Sequence, residues 1–448
     1  MRKLLLATAA SLSTLLAGGA AQAQALKPVA PGTIQIHLNG YLQFSIGDIG
    51  GNGMRGGSTA STSTVAAFKV NPIATTGDIR LYPGFDGMTV GGLSYGAQIE
   101  LRTATTNANG SGVGSTSTST NGVSGLYVRR AYGYLGTSTY GYVRFGQGDG
   151  AFELLQRGVI ETFGDGSQWT GDGTVVTMLP SAAPTQFIYA DQGALYTTNK
   201  IVYITPALSE NVLGGKFDGA ISFEPTSNGI KEGDATVSST LGQTSSIAGG
   251  SAKLRRNTFD GVADYTVKID GFATKASVGY LSSTPVGNLT GGQAYSPMNV
   301  WQAGAQTTYT GLFTGDDTIT VGANVKGGSV TDKYGFKLKG GRNALAYIVG
   351  GAYTNGPYVL GASFWDSQEN NGHIGAAGKG DEGHTLSEYG VAVGANYIVA
   401  KPLSLFVQYL YGNVHGAAAT ATTAAGPGAF PHGNGHVQAI ALGATFKW

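Results

Sequence analysis

The stretch from His436 to Trp448, HVQAIALGATFKW, limits the fold more than any other. Counting back by twos, Trp448, Phe446, Ala444, Leu442 and Ile440 share one face. Lys447, Thr445, Gly443, Ala441 and Ala439 share the other. A period of two is that of a β-strand with one apolar side and one small or polar side. A strand in this place leaves an unpaired edge unless the sheet comes round to meet it, and that closure makes a barrel.

The same rhythm recurs upstream. The first expected strand, Ile34 to Gly47, sets Ile34, Ile36, Leu38, Leu42, Phe44 and Ile46 against Gln35, His37, Asn39, Tyr41, Gln43 and Ser45. A Gly/Ser/Thr/Asn loop from Asp48 to Thr75 follows. A second strand is expected near Thr76 to Phe85, turning at Asp86-Gly87, and a third from Val90 to Ala104. After a low-complexity loop, Thr105 to Asn121, strands four and five form a hairpin from Gly125 to Gly148. A long insertion, Asp149 to Pro184, precedes a sixth strand ending at Thr205 and a seventh from Gly215 to Glu224. Paired strands then turn at Asp270-Gly271, between Leu312 and Asp317, at Asn355-Gly356-Pro357 and at Ala400-Lys401-Pro402, before the closing strand. The expected fold is all-β, an antiparallel transmembrane barrel of about sixteen strands, which is wide enough to hold water. Its asymmetry of short turns and long loops is that of a membrane barrel.

Composition agrees. Charged residues are 12% of the chain, about half the share in soluble domains. Hydrophobic residues are 41% and glycines number 74, a mixture that would keep a soluble surface poorly wetted and suits one facing lipid. The net charge of +1 gives no reason to expect nucleic acid. The absence of cysteine fits an oxidising compartment, though weakly.

Residues 1–25 read as a cleaved signal peptide. Arg2 and Lys3 precede an apolar run from Leu4 to Leu16, and an A-x-A site follows at Ala21-Gln22-Ala23 or Ala23-Gln24-Ala25. The run is too short and too broken by Ser and Thr to serve as a membrane anchor, which takes about 20 apolar residues. The barrel itself is expected over 26–448.

The closing strand resembles the C-terminal assembly signature of bacterial outer-membrane barrels, carried here by Gly443, Phe446 and Trp448, with Trp where that signature usually has Phe. The hairpin RRAYGYLGTSTYGYVRFGQG and the later TNKIVYITP resemble strands of the Gram-negative general porins. Gln147 stands where those proteins often have Arg, as do Thr197 and Thr198 before Asn199. The resemblance is loose but spans 26–448. It implies a homotrimer of sixteen-stranded barrels in the outer membrane, surrounded by lipid and lipopolysaccharide. It also implies an outer loop folded inward, here about 149–184.

Alternation assigns faces. Asp78 and Arg80 are expected inward on the second strand, Glu100 and Arg102 on the third, Arg129 on the fourth, and Tyr142 and Arg144 on the fifth. Arg130 is then expected outward, and a slip of one residue would exchange it with Arg129. The insertion carries Glu153, Glu161, Asp165 and Asp172, with Asp149 at its start. These residues suggest a charge-separated constriction. Arg80, Arg102, Arg129 and Arg144 would line one wall, and Glu153, Glu161 and Asp165 would face them across water. Opposed charges between low-dielectric walls focus the field on passing solutes. A bland alternative leaves the arginines at the rim, pairing with headgroups or nearby carboxylates. Tyr132, Tyr134, Tyr140 and Tyr142 read more readily as an interfacial aromatic girdle than as a sugar track.

Other motifs carry little. PHGNGH, with His432 and His436, lacks the helix that would make its spacing metal-binding. GDGSQWTGDG lacks the Ca²⁺-loop spacing of an EF-hand. GQGDG is followed by no Lys-Ser/Thr. No cofactor, metal or catalytic set is expected. The function these features point to is passive diffusion of ions and small hydrophilic solutes. Alternatives are a solute-selective channel, for example for sugars, a secreted β-rich adhesin, and a barrel enzyme whose catalytic residues the sequence does not supply.

Overall fold

The computed structural model describes residues 29–56, 68–103, 126–170, 173–180, 183–184, 188–189, 198–207, 209–212, 214–227, 229, 248–249, 254–286, 288–289, 294–331, 334–369, 385–416 and 434–448. The expected leader, the Ser/Thr/Asn loop after the third strand, Asp172 and His432 lie outside them.

Strands dominate. In chain order the strands of the barrel are β1 (Ile34–Gly51), β2 (Ile73–Met88), β3 (Ser94–Thr103), β4 (Leu126–Thr137) and β5 (Gly141–Gln147). Next come β6 (Asn199–Ile204, resumed at Ser209–Val212), β7 (Gly215–Thr226), β8 (Arg255–Ile269), β9 (Phe272–Pro285) and β10 (Met298–Thr310). The last six are β11 (Thr318–Gly328), β12 (Ala344–Asn355), β13 (Tyr358–Glu369), β14 (Leu386–Ala400), β15 (Leu403–His415) and β16 (Gly435–Lys447). Both pieces of β6 pair with β7, so they occupy one place in the sheet. Each strand is antiparallel to its neighbours, and β1 pairs with both β2 and β16. The result is a closed barrel of sixteen strands with no free edge.

The closing strand does what its alternation implies. β16 lies against β1 from Tyr41↔Lys447 to Gly51↔Val437. Trp448 then exchanges both backbone hydrogen bonds with Gly40, at 3.1 and 3.2 Å. The indole crosses the Gly40 backbone so closely that a Cβ there would sit 1.9 Å from the ring. Only glycine admits that contact at the seam.

Turns of a few residues join β2–β3, β4–β5, β6–β7, β8–β9, β10–β11, β12–β13 and β14–β15, all at the end that holds both termini of the sheet. The long connections sit at the opposite end. Along each strand one face is apolar and exposed, for example Ile36 at 82%, Leu38 at 61%, Ile221 at 62% and Leu442 at 61%. That face also carries two bands of rings. Near the short turns, Phe85–Tyr95, Phe217–Tyr265, Phe272–Tyr309 and Tyr358–Tyr397 pair across neighbouring strands. Near the long loops, Tyr347, Phe364, Tyr389, Tyr411 and His436 form a row across five consecutive strands. On β14 the two bands are marked by Tyr389 and Tyr397. Eight residues of strand tilted by about 40° separate them by about 20 Å along the barrel axis.

Candidate functional site

The connection from β5 to β6 runs from Gly148 to Thr198, and its described residues lie inside the barrel, because the wall side chains they bond are inward-facing ones. Its short helix α1 (Ala151–Leu154) starts against β7 and β8: the amide of Phe152 donates to Asp260 at 2.7 Å and that of Ala151 to Ser222 at 3.3 Å. Arg157 then pairs bidentately with Asp264 on β8, at 2.7 and 3.1 Å. Further on, the amide of Gly164 donates to Asn396 on β14 at 2.7 Å, and that of Asp165 to Gln408 on β15 at 2.6 Å. Thr174 meets Gln43 and Ser45 on β1, at 2.7 and 3.1 Å, and Thr177 meets Thr76 on β2 at 3.0 Å. The segment thus follows the inner wall from β7 round to β2.

The wall makes room for it. On β12–β16 many inward positions are Gly or Ala, and the loop's bulky residues fill the space left. Phe163 is fully buried over Gly361, where a Cβ would lie 2.1 Å from its ring. Trp169 lies over Gly412, edge-on to Trp365 with centroids 5.8 Å apart. A second connection, whose described residues are 329–331 and 334–343, also turns inward: Val330, Tyr334 and Phe336 are buried in the same apolar cluster as Phe152, Ile160 and Phe163.

The opposite sector, β2–β5, is charged. Arg80 pairs with Asp78 at 2.5 Å and lies over the Tyr41 ring at 4.8 Å. Glu100 holds three guanidiniums: Arg102 and Arg130 closely, and Arg129 at 3.4 Å. Arg130 also pairs with Asp149, at 2.8 and 2.9 Å. Arg144 stacks on the Tyr132 ring at 3.8 Å and has no carboxylate partner among the described residues. All five arginines are under a tenth exposed.

Arg129 and Arg130 both face inward, which corrects the expectation for Arg130. The register between β3 and β4 shifts here: Glu100 opposes Arg130 and Leu101 opposes Val128. Arg129 is the extra residue of a β-bulge, a feature that re-aims side chains by breaking the ladder locally. The Gln147 amide stabilises it by donating to the carbonyls of Arg129, at 2.8 Å, and Val128, at 3.4 Å. Beyond the bulge the parity is reversed, so Tyr132 and Tyr134 point inward and are not girdle residues. Tyr132 donates its hydroxyl to Gln98 at 2.8 Å, and Tyr134 donates to Asp86. Tyr140 is 78% exposed.

The expected site residues therefore fall into two groups. Arg80, Arg102, Arg129 and Arg144 come together on the β2–β5 wall. Glu153, Glu161 and Asp165 are buried in the loop with partners of their own. Glu153 faces Lys326 on β11 at 3.3 Å. Glu161 accepts the Thr170 hydroxyl. Asp165 accepts the amides of Ser167, Gln168 and Val175, at 3.0–3.2 Å, and so ties the loop to itself. Burial pushes the carboxyls of Glu153 and Asp165 above their ordinary range, against the opposing pull of the Lys326 ammonium on the first and of the amides on the second. The carboxylates recorded beside the arginines are instead Asp78, Glu100 and Asp149. Sequence reasoning gave Lys326 and residues 329–343 no role; a lysine on an inward strand position was the only available signal.

No family model and no curated protein matches the chain. Among solved structures it is similar to an anion-selective porin from Comamonas acidovorans, at 13% identity over 93% of this chain and 100% of that one, with a TM-score of 0.48. It is similar to the outer membrane channel DcaP of Acinetobacter baumannii, at 16% identity over 97% and 100%, with a TM-score of 0.48. A loop L8 deletion mutant of OmpT, an outer membrane protein of Vibrio cholerae, gives 13% identity over 93% and 99%, with a TM-score of 0.45.

Proposed function

We propose that the protein is an outer-membrane porin that admits ions and small hydrophilic solutes by passive diffusion. The observation that carries this reading is a closed barrel with an apolar, ring-banded outside and a charged inside partly filled by its own loop. The spacing of about 20 Å between ring bands suits the apolar belt of an outer-membrane barrel, about 25 Å tall. The charged interior is unsuited to a dry core, where unpaired ions are costly. No covalent chemistry is required.

In this reading the passage runs beside β2–β5 and the first part of β1, since the loop and the inward-turned connection before β12 occupy the wall from β7 round to the later part of β1 and reach Thr76 on β2. Tyr41, Asp78, Tyr82, Gln98, Tyr132 and Tyr142 keep partial exposure on that inner wall. Arg80, Arg102, Arg129, Arg130 and Arg144 are five guanidiniums, set against the carboxylates of Asp78, Asp86, Glu100 and Asp149. The excess predicts a mild preference for anions. The loop acids contribute through the position of the loop more than by facing the arginines. The protein is exported with residues 1–25 removed and assembles as a homotrimer among lipid and lipopolysaccharide, with Gly443, Phe446 and Trp448 as its closure and assembly signal.

Planar-bilayer recording tests this. Conductance steps in groups of three, with a reversal potential on the anion side in a salt gradient, are expected. Purified, folded protein that gives no steps would refute the channel. The inward tyrosines favour a second reading, a solute-selective channel with an aromatic track beside the arginines. Liposome-swelling rates separate the two: a trend set by size alone supports diffusion, and one solute far off the trend supports selectivity.

A further inference from the structure

We propose that Lys326 is a positioning residue, the pin that holds the inward loop at a fixed distance from the wall and so sets the width of the passage. Lys326 is on β11, faces inward and has no exposed surface. Its ammonium lies 3.3 Å from the Glu153 carboxylate and donates to the Tyr334 hydroxyl at 3.0 Å. That hydroxyl in turn donates to Glu153 at 3.3 Å. Three rings surround the ammonium: Tyr189 at 5.0 Å, Phe152 at 5.3 Å and Tyr334 at 5.6 Å.

These partners come from three separate pieces of chain. Phe152 and Glu153 belong to α1, at the start of the loop. Tyr189 belongs to its return and donates to Asn324, two residues from Lys326, at 2.7 Å. Tyr334 belongs to the connection between β11 and β12. One wall residue is thus a meeting point of three of the described pieces that narrow the interior on that side. Tyr334 also holds a left-handed backbone, φ 64°, a conformation that a bulky residue keeps only when its surroundings fix it.

The energetic argument is one of sign. An ammonium buried among rings is tolerable only while a carboxylate and the ring faces close around it. If the loop moved off the wall, Lys326 and Glu153 would each lose their counter-charge in an apolar setting. The box therefore has one good arrangement, in which the loop is seated. A methionine of similar length at this place would preserve packing but remove the ammonium that Glu153 faces at 3.3 Å, and the seated arrangement would lose that advantage.

The inference rests on the channel reading, and the experiment separates the two. Lys326→Met, Glu153→Gln and the double variant are compared with the wild type as purified trimers in planar bilayers, with heat-modifiable migration as the check on folding. Lys326→Met should raise open-state noise and conductance by a factor of about two, because conductance follows the open cross-section. The double variant, which removes both charges together, should return towards wild-type behaviour. A folded Lys326→Met channel with wild-type conductance and noise overturns the proposal, as does a double variant as disturbed as the single one. If Lys326→Met does not fold, Tyr334→Phe takes its place, keeping the ring and removing the hydroxyl between the charges. Raised noise then supports the pin, and wild-type noise overturns it. A wild-type protein that never conducts defeats the channel reading instead.

Discussion

Glu100 is the shared counter-charge of Arg102, Arg129 and Arg130, so Glu100→Gln perturbs the charged wall at its most connected point. Glutamine keeps the size and one acceptor oxygen, but it removes the negative charge that Arg102, Arg129 and Arg130 share, while Asp149 still faces Arg130. Removing one member of a buried ion network costs about 3–5 kcal/mol when the interior is dry. Arg130 keeps Asp149 as a counter-charge, so a loss at or below the lower end is expected, read as an earlier transition in heat-modifiable migration. The effect on permeation is larger. A monovalent ion passing about 7 Å from the missing charge, in a water-like dielectric, changes its energy by about 0.6 kcal/mol, close to RT. Anions gain and cations lose by about threefold each, so the permeability ratio moves by about sevenfold towards anions. Reversal potential in a salt gradient measures that ratio directly, and the shift should shrink as ionic strength rises. A folded Glu100→Gln channel whose reversal potential stays put, or moves towards cations, would show that permeating ions do not pass the arginine wall.

Three further outcomes follow from the geometry. Arg130→Cys should react with a charged, water-soluble thiol reagent and lower the current, while Val128→Cys, on the outward face, should not; the reverse pattern would remove the bulge. Gly361→Leu should drive Phe163 off its seat, costing about 1–3 kcal/mol as overpacking does and altering conductance, whereas unchanged conductance would mean the loop does not bound the passage. Gly40→Val should block the approach of the Trp448 indole and lower the yield of assembled, heat-modifiable barrel, which Trp448→Ala combined with Gly40→Val should partly recover; normal assembly of Gly40→Val would make the seam contact unimportant.

Much of the fold was legible because a closed barrel with an apolar outside repeats one rule. Each strand must be apolar outside, so period-two alternation locates strands, their faces and even the seam. The charged wall was legible for the same reason: Arg80, Arg102 and Arg144 fall on inward parity. Arg130 was not, because a bulge adds a residue without leaving a mark in the hydrophobic pattern, and everything beyond it in β4 changes side. That is why Tyr132 and Tyr134 read as girdle residues and stand inside. The loop acids were legible as charges but not as partners. Whether Glu153 faces water or Lys326 depends on contacts across 173 residues of sequence, which no local pattern records.

The interior is divided by side-chain size, and that division separates what each half can control. Gly361, Gly412, Ala392 and Ala441 make a shallow wall against which Ile160, Phe163 and Trp169 settle, so that side sets how much of the lumen is left open. Arg80, Arg102, Arg129, Arg130 and Arg144 stand where the loop does not cover the wall in this way, so in the proposed channel that side would set the field a solute meets. A substitution in the small-residue half should change conductance with little effect on ion preference. One in the arginine half should do the opposite. A single residue that moved both equally would have to act on the boundary between the halves. Asp149 is such a residue, since it begins the loop and pairs with Arg130 on the wall.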